Sequence, residues 1–391
     1  MLFDSVGWSK VTKSNISYDF DIVLFWLALG LLGLGVVMVY SSSIAIADNS
    51  VLLGGSPYRF LLRHLFALSI GLMLALLAIQ IPVRYWEAIA PVFFVLGLLM
   101  LIAVLVPWIG HEANGSRRWF RIAGFSFQPS EFMKFATVLY AADYTIRKGV
   151  HVSSFKRGFL PLFGVMVLTG FLLLSEPDFG AFVVITAIAM GVLFLGGMNL
   201  KLLIALTVLL CIAFIGLIYS SDYRTARAFG FLNPFEDPLK TGYQLTHSLM
   251  AFGRGELFGV GLGGSIEKLH YLPEPHTDFI LAVIGEEMGF LGVALTVAAF
   301  GWLTLRMIMI GNQAARLERY FSALVAQGVA IWIGFQALIN MGVNVGALPT
   351  KGLTLPLLSF GGSGLMMNCL AIGLIFRIDY ENRALMKGVN L

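Results

Sequence analysis

The recurrence of long apolar runs constrains this chain more than any other feature. Runs near the ~20 residues that cross a bilayer follow one another along almost its whole length. In a bilayer every backbone polar group must find an internal partner, so such runs fold as helices packed into a bundle. The 391 residues are 58% hydrophobic and 12% charged, against about a quarter charged in an ordinary soluble domain. The expected fold is all-α: one polytopic helical membrane domain over residues 1–391.

About ten segments qualify as spans: 21–42, 60–80, 88–107, 129–147, 159–176, 178–197, 200–219, 277–307, 321–343 and 359–377. The first is too long for a signal-peptide core of ~7–15 residues. The eighth exceeds what a bilayer needs and is expected to tilt or project on the inner side. Arg147, Lys148, Lys156 and Arg157 follow the fourth span, and Arg306, Arg316 and Arg319 follow the eighth. Lys10 and Lys13 precede the first, and Arg377, Arg383 and Lys387 follow the last. Lys and Arg favour the cytoplasmic side. Residues 1–20 and the tail 378–391 are therefore read as cytoplasmic, with 108–128, 220–276 and 344–358 facing outward. The large periplasmic loop 220–276 then joins spans seven and eight. Its aromatic residues suggest that it packs.

The net charge of +4 includes no block resembling a nucleic-acid patch. Cys211 and Cys369 lie in apolar segments and read as core residues. No internal repeat is evident, which counts against a transporter built from inverted halves.

Polar residues gather at the outer side in four places. In Gln128-Pro129-Ser130-Glu131-Phe132-Met133-Lys134, Ser130 is the expected N-cap of span four, and Glu131 and Lys134 share a helix face. A charged group in a membrane faces a partner or a watery cavity. Lys134 therefore either pairs with Glu131 and snorkels outward, or joins Arg117 or Arg118 of Arg117-Arg118-Trp119 in a cationic site for a phosphorylated ligand. Glu176-Pro177-Asp178 is a plain turn, or its carboxylates take a divalent cation or the basic loop. Asp278, two residues beyond His276, is a helix-start carboxylate or a partly desolvated general base. Glu286 and Glu287 lie further along the same span, and at least one must bond across helices. Lys351 meets the ligand or caps the wall formed by 340–364.

Gly259, Gly261 and Gly264 fit G-x-G-x-x-G. Without a strand–helix–strand context this is no dinucleotide site, and the glycines read as tight turns or close backbone approach. One base beside a basic patch suits glycosyl transfer from a lipid diphosphate, whose leaving group needs charge neutralisation more than a general acid. A glycosidase needs two carboxylates.

The motifs GSRRWF, QPSEFMK, EPDFG, GYQLTHSLMAFGRGELFGVGLGGS, YLPEPHTDF with GEE, and LPTKGLTLPLLSFGGS resemble those of the SEDS family (shape, elongation, division and sporulation) over nearly the whole chain. GLGGSIEKLHYLPEPHTDFI and PTKGLTLPL resemble its division branch more than its elongation branch. The resemblance implies a multi-pass protein of the bacterial inner membrane, at the septum. It implies a peptidoglycan glycosyltransferase that polymerises lipid II into a growing glycan strand outside the membrane. It implies as partners the class B penicillin-binding transpeptidase of the divisome (FtsI type) and other division proteins. It leaves room for a divalent cation (Mg or Mn) and calls for no organic cofactor. By motif, Asp278 is the base, and Arg118 beside Trp119 and Lys134 meet the diphosphate. Arg117, Lys351 and His276 complete the binding set, with Glu131, Glu176, Asp178, Glu286 and Glu287 in support. A lipid II flippase and a non-catalytic divisome scaffold are the alternatives.

Overall fold

A computed structural model of the chain describes residues 20–51, 56, 58–113, 116–122, 125–219, 225, 229–240, 242–350 and 352–389. Lys10, Lys13, Asn114, Gly115, Thr241, Lys351 and the Cys211 side chain lie outside the described residues.

Each predicted segment holds a helix. These are α1 (Ile22–Val51), α2 (Arg59–Gln80), α3 (Val83–Leu105), α4 (Pro129–Lys148), α5 (Leu160–Ser175), α6 (Phe179–Leu195) and α7 (Leu200–Tyr219). The stretch between α7 and the next span contributes α8 (Tyr243–Gly255), and the chain ends in α9 (Ile280–Arg316), α10 (Tyr320–Asn344) and α11 (Gly362–Met386). Among the described residues, seven helices, α1 to α3, α5 and α9 to α11, are long and apolar enough to cross a membrane.

Burial sorts the helices into an inner and an outer set. The most apolar window of α11 is 83% buried and that of α10 is 67% buried, but that of α2 is only 17% buried. The innermost element is α4, where sixteen of twenty residues are buried, among them Glu131, Lys134 and Asp143. Those three charges make α4 too polar to face lipid, and protein surrounds it instead. Cys369 of α11 is buried as expected.

Helix α9 does not run straight. Gly289 has φ 66° and ψ −165°, which breaks the helix after Met288. The freed backbone groups are taken up by the glycine-rich strap that follows α8. Val260 N–H donates to the Glu286 carbonyl at 2.9 Å, and Gly261 N–H to that of Glu287 at 3.1 Å. In return, Phe290 N–H donates to the Glu256 carbonyl at 2.8 Å and Leu291 N–H to that of Leu257 at 3.2 Å. Broken backbone at membrane depth persists only where protein re-satisfies it in this way. The excess length of the predicted eighth span thus reflects a short first half-helix joined to a long second one. A Cβ at Gly259 would stand 2.2 Å from the Glu287 carbonyl oxygen, which is why the strap needs glycine there.

The loop before α4 is more ordered than an all-helical reading implies. It forms an antiparallel sheet of β1 (Gly110–Ala113), β2 (Ser116–Ile122) and β3 (Phe125–Phe127), in the order β1-β2-β3.

A candidate active site at one end of the bundle

Asp278 stands two residues ahead of α9 and is half-buried. Its main chain is fixed from α10. Asn340 Nδ2 donates to the Asp278 carbonyl at 2.8 Å and Asn344 Nδ2 donates to it at 2.9 Å. Asn344 Oδ1 also accepts from Ala282 N–H at 3.2 Å, satisfying a donor in the first turn of α9. The carboxylate leans on the third outer loop, since a Cβ on Gly352 would lie 3.1 Å from Asp278 Oδ2.

The same face of α10 carries that loop. Asn340 Nδ2 donates to the Leu353 carbonyl at 2.6 Å, and Gln336 Nε2 to that of Thr354 at 2.9 Å. Gln336, Asn340 and Asn344 recur every four residues and so form one stripe. Neither Gln336 nor Asn344 was singled out in the sequence. Three amides at this spacing inside an apolar span was the available signal, because each costs free energy in a membrane unless it bonds.

Lys134 stands at the deep end of the stripe. It is fully buried, and Nζ donates to Glu131 Oε1 at 2.7 Å and to Gln336 Oε1 at 2.8 Å. The indole of Trp332 lies 5.7 Å from the ammonium. The expected Glu131–Lys134 pair is thus present, but it is enclosed by protein and does not snorkel outward. A charge held this deep needs a carboxylate and dipoles in contact, and Glu131 and Gln336 supply them. Gln336, which Lys134 meets, lies one turn of α10, about 6 Å, from Asn340, which meets the Asp278 carbonyl.

Arg117 and Arg118 diverge although adjacent. His111 pairs with Trp119 and Glu112 with Arg117, so Arg118 is the extra residue of a β-bulge. A bulge turns its side chain away from the strand's alternation. Arg117 meets Glu112 at 3.1 Å in an exposed pair. Arg118 instead reaches the turn between α5 and α6, where Nε donates to the Glu176 carbonyl at 2.8 Å and Nη2 to that of Pro177 at 2.5 Å.

That turn works as a joint. Asp178 caps α6 by accepting from Ala181 N–H at 3.1 Å. It also accepts from Gln128 Nε2 and Ser130 Oγ, each at 2.9 Å. Ser130 was expected to cap α4, but Gln128 holds the N-cap position with Pro129 as first helical residue. The Ser130 hydroxyl bonds across to Asp178 instead. Both carboxyl oxygens of Glu176 are buried without partners. Burial first, then Asp178, push that carboxyl up to about 9, against a smaller pull down from Arg118. Among the described residues no three acidic, His or Cys side chains cluster as a metal site.

His276 is buried between Phe60 and Phe360, with ring centroids at 4.8 Å and 5.4 Å, and its Nδ1 has no partner. Burial holds its basicity below the ordinary value, offset in part by Glu274. Glu286 and Glu287 both bond across elements, as expected. Glu286 accepts from Arg254 at 2.5 Å and from Ile266 N–H at 2.9 Å. Glu287 accepts from Lys268 at 2.6 Å and from Ser41 of α1 at 2.7 Å. They hold the outer loop and α1 on the half-helix that begins just after Asp278.

A bundle with a broken helix and its polar apparatus gathered at one end is that of a polytopic membrane protein. Residues 22–384 match the cell cycle protein family of FtsW, RodA and SpoVE, and the chain belongs to that family. A relative from Aromatoleum aromaticum, named probable peptidoglycan glycosyltransferase FtsW, is 55% identical over 370 residues, which are 95% of this chain and 90% of that one. One of the same name from Burkholderia thailandensis is 52% identical, over 98% of this chain and 83% of that one. A solved structure described as structural coordination of polymerization and crosslinking by a peptidoglycan synthase complex matches with a TM-score of 0.76 and 29% identity, over 93% of this chain and 98% of the other. The rod shape determining protein RodA of Thermus thermophilus matches at 0.67 and 26%, over 93% and 97%.

Proposed function

We propose that this chain is a peptidoglycan glycosyltransferase that polymerises lipid II at the outer face of the inner membrane during septal wall synthesis. The names borne by relatives of about half-identical sequence support the activity. The observation that carries the mechanism is the double anchoring of the Asp278 main chain by Asn340 and Asn344, with its carboxylate against Gly352.

The Asp278 carboxylate takes the proton of a sugar hydroxyl on one lipid-linked chain. That oxygen bonds to the anomeric carbon of the other chain, and the carbon–diphosphate bond breaks with its electron pair leaving on the lipid diphosphate. Arg118, whose Nη1 has no partner among the described residues, faces the leaving group. Lys134 acts through Gln336 on the Leu353–Thr354 wall. His276, next to Asp278, lines the apolar approach.

The end opposite Asp278 carries Arg306, Arg316, Arg319, Arg377 and Arg383, together with Asp21 near the chain's start. This supports cytoplasmic termini. The likeness to a peptidoglycan synthase complex supports a class B penicillin-binding transpeptidase of the FtsI type as partner. A flippase would carry ionisable groups through the bilayer. Here Lys134 and Asp143 on α4 are separated by about 13 Å of helix. Purified protein with its transpeptidase partner, given lipid II, should form glycan strands. Lipid II flipping without polymer would overturn the reading.

A further inference from the structure

Far from Asp278, α1, α9 and α11 enclose a cavity of about 390 Å³ lined by Asp21, Arg306, Arg316, Asp379 and Arg383. Arg306 Nη2 donates to Asp21. Arg383 lies 3.6 Å from Asp21 and donates from Nε to Asp379 at 2.8 Å. Three guanidinium groups thus face two carboxylates, leaving one positive charge over. Donors are left over too. Arg306 Nε is buried without a partner, and Arg316 is exposed with no ion pair among the described residues. The exposed Arg316 guanidinium offers a planar set of donors that an anionic oxygen accepts.

Arg306 and Met309 also line a second, apolar hollow, shared with Ala298, Gly301, Trp302 and Leu305 along the outside of α9. Trp302 is 58% exposed and Leu305 55% exposed, and in a membrane that surface meets acyl chains. An arginine-lined cavity running into an apolar trough matches an amphiphile with an anionic head. We propose that this is a binding site for an anionic glycerophospholipid of the leaflet opposite Asp278. Its phosphate lies between Arg306 and Arg316, and one acyl chain lies in the trough beside Gly301 and Trp302. A choline headgroup would bring a cation against the arginines and is disfavoured.

Native mass spectrometry of the full-length protein in detergent tests this with phosphatidylglycerol, phosphatidylcholine and glycerol 3-phosphate as probes. Phosphatidylglycerol should be retained in preference to phosphatidylcholine. Arg316→Ala should cut that retention about fivefold, the worth of one arginine near an anionic surface. Gly301→Leu should also cut it, because a Cβ there meets nothing within 4 Å and the new side chain fills the trough without a clash. Unchanged melting of both variants would show that the fold survives. Equal retention of the two lipids, or retention unaffected by either substitution, would overturn the proposal. Displacement of phosphatidylglycerol by glycerol 3-phosphate as readily as by whole lipid would also overturn it, showing a phosphate pocket without a lipid.

Discussion

Asn340 of α10 donates to the Asp278 carbonyl at 2.8 Å and to the Leu353 carbonyl at 2.6 Å with one amide nitrogen. One side chain thus fixes the candidate base and the wall facing it. The spacing between acid and wall is therefore set by a membrane helix, where packing restricts movement, and not by either outer loop.

Asn340→Ala should leave the Leu353 carbonyl without that donor and the Asp278 carbonyl with Asn344 alone, at a stability cost of about 1–3 kcal/mol. The larger effect should be kinetic, since a displacement near 1 Å at a reacting group can cost ~100-fold. Steady-state polymerisation should show kcat falling with KM nearly unchanged, because no group proposed to bind lipid II is removed. A fall confined to KM would place Asn340 in substrate binding instead.

Lys134→Met should strand Glu131 as a buried charge and cost about 3–5 kcal/mol. The double substitution Lys134→Met with Glu131→Gln should recover much of that loss. Thermal unfolding in detergent reads both. A Lys134→Met protein that melts with wild type would mean the 2.7 Å pair is not what stabilises α4.

The spans were legible because hydrophobicity alone dictates them, and the placement of Arg118, Glu176 and Asp278 outside the helices' apolar lengths was legible from loop positions. Gly289 was not. Residues 280–300 read as one apolar run, and the break depends on pairing with residues 256–261, which no local pattern encodes. The strand β2 was hidden for a similar reason, since Arg117-Arg118-Trp119 contains a bulge that disrupts the two-residue alternation. The sequence offers Glu131 as a partner for Lys134 but not Gln336, which is 202 residues away.

Gly289→Ala should strain a backbone at φ 66° and drive a Cβ to 2.4 Å from Gly259 N. Detachment of the 256–261 strap should expose the outer loop to limited proteolysis at a temperature where wild type resists. Equal cleavage of the two proteins would contradict the strap's role in mending α9.

Glu176 gives a pH signature. Its carboxyl is raised from 4.5 to about 9, so the folded protein holds a proton that the unfolded chain releases. Stability from this group is full below pH 4.5 and is lost progressively as pH rises to about 9. Glu176→Gln should flatten that part of the melting-temperature profile and raise the melting temperature at pH 8. An unchanged slope would show Glu176 to be ionised in the fold.

The central claim is tested most directly by Asp278→Asn in a lipid II polymerisation assay at matched protein and transpeptidase levels. Asparagine keeps the shape and the main-chain bonds from Asn340 and Asn344 but cannot take a proton. Polymerisation should fall by roughly 100- to 10,000-fold, the usual worth of a general base, with melting temperature unchanged. Glycan strands of normal length at a normal rate from the Asp278→Asn protein would contradict the account.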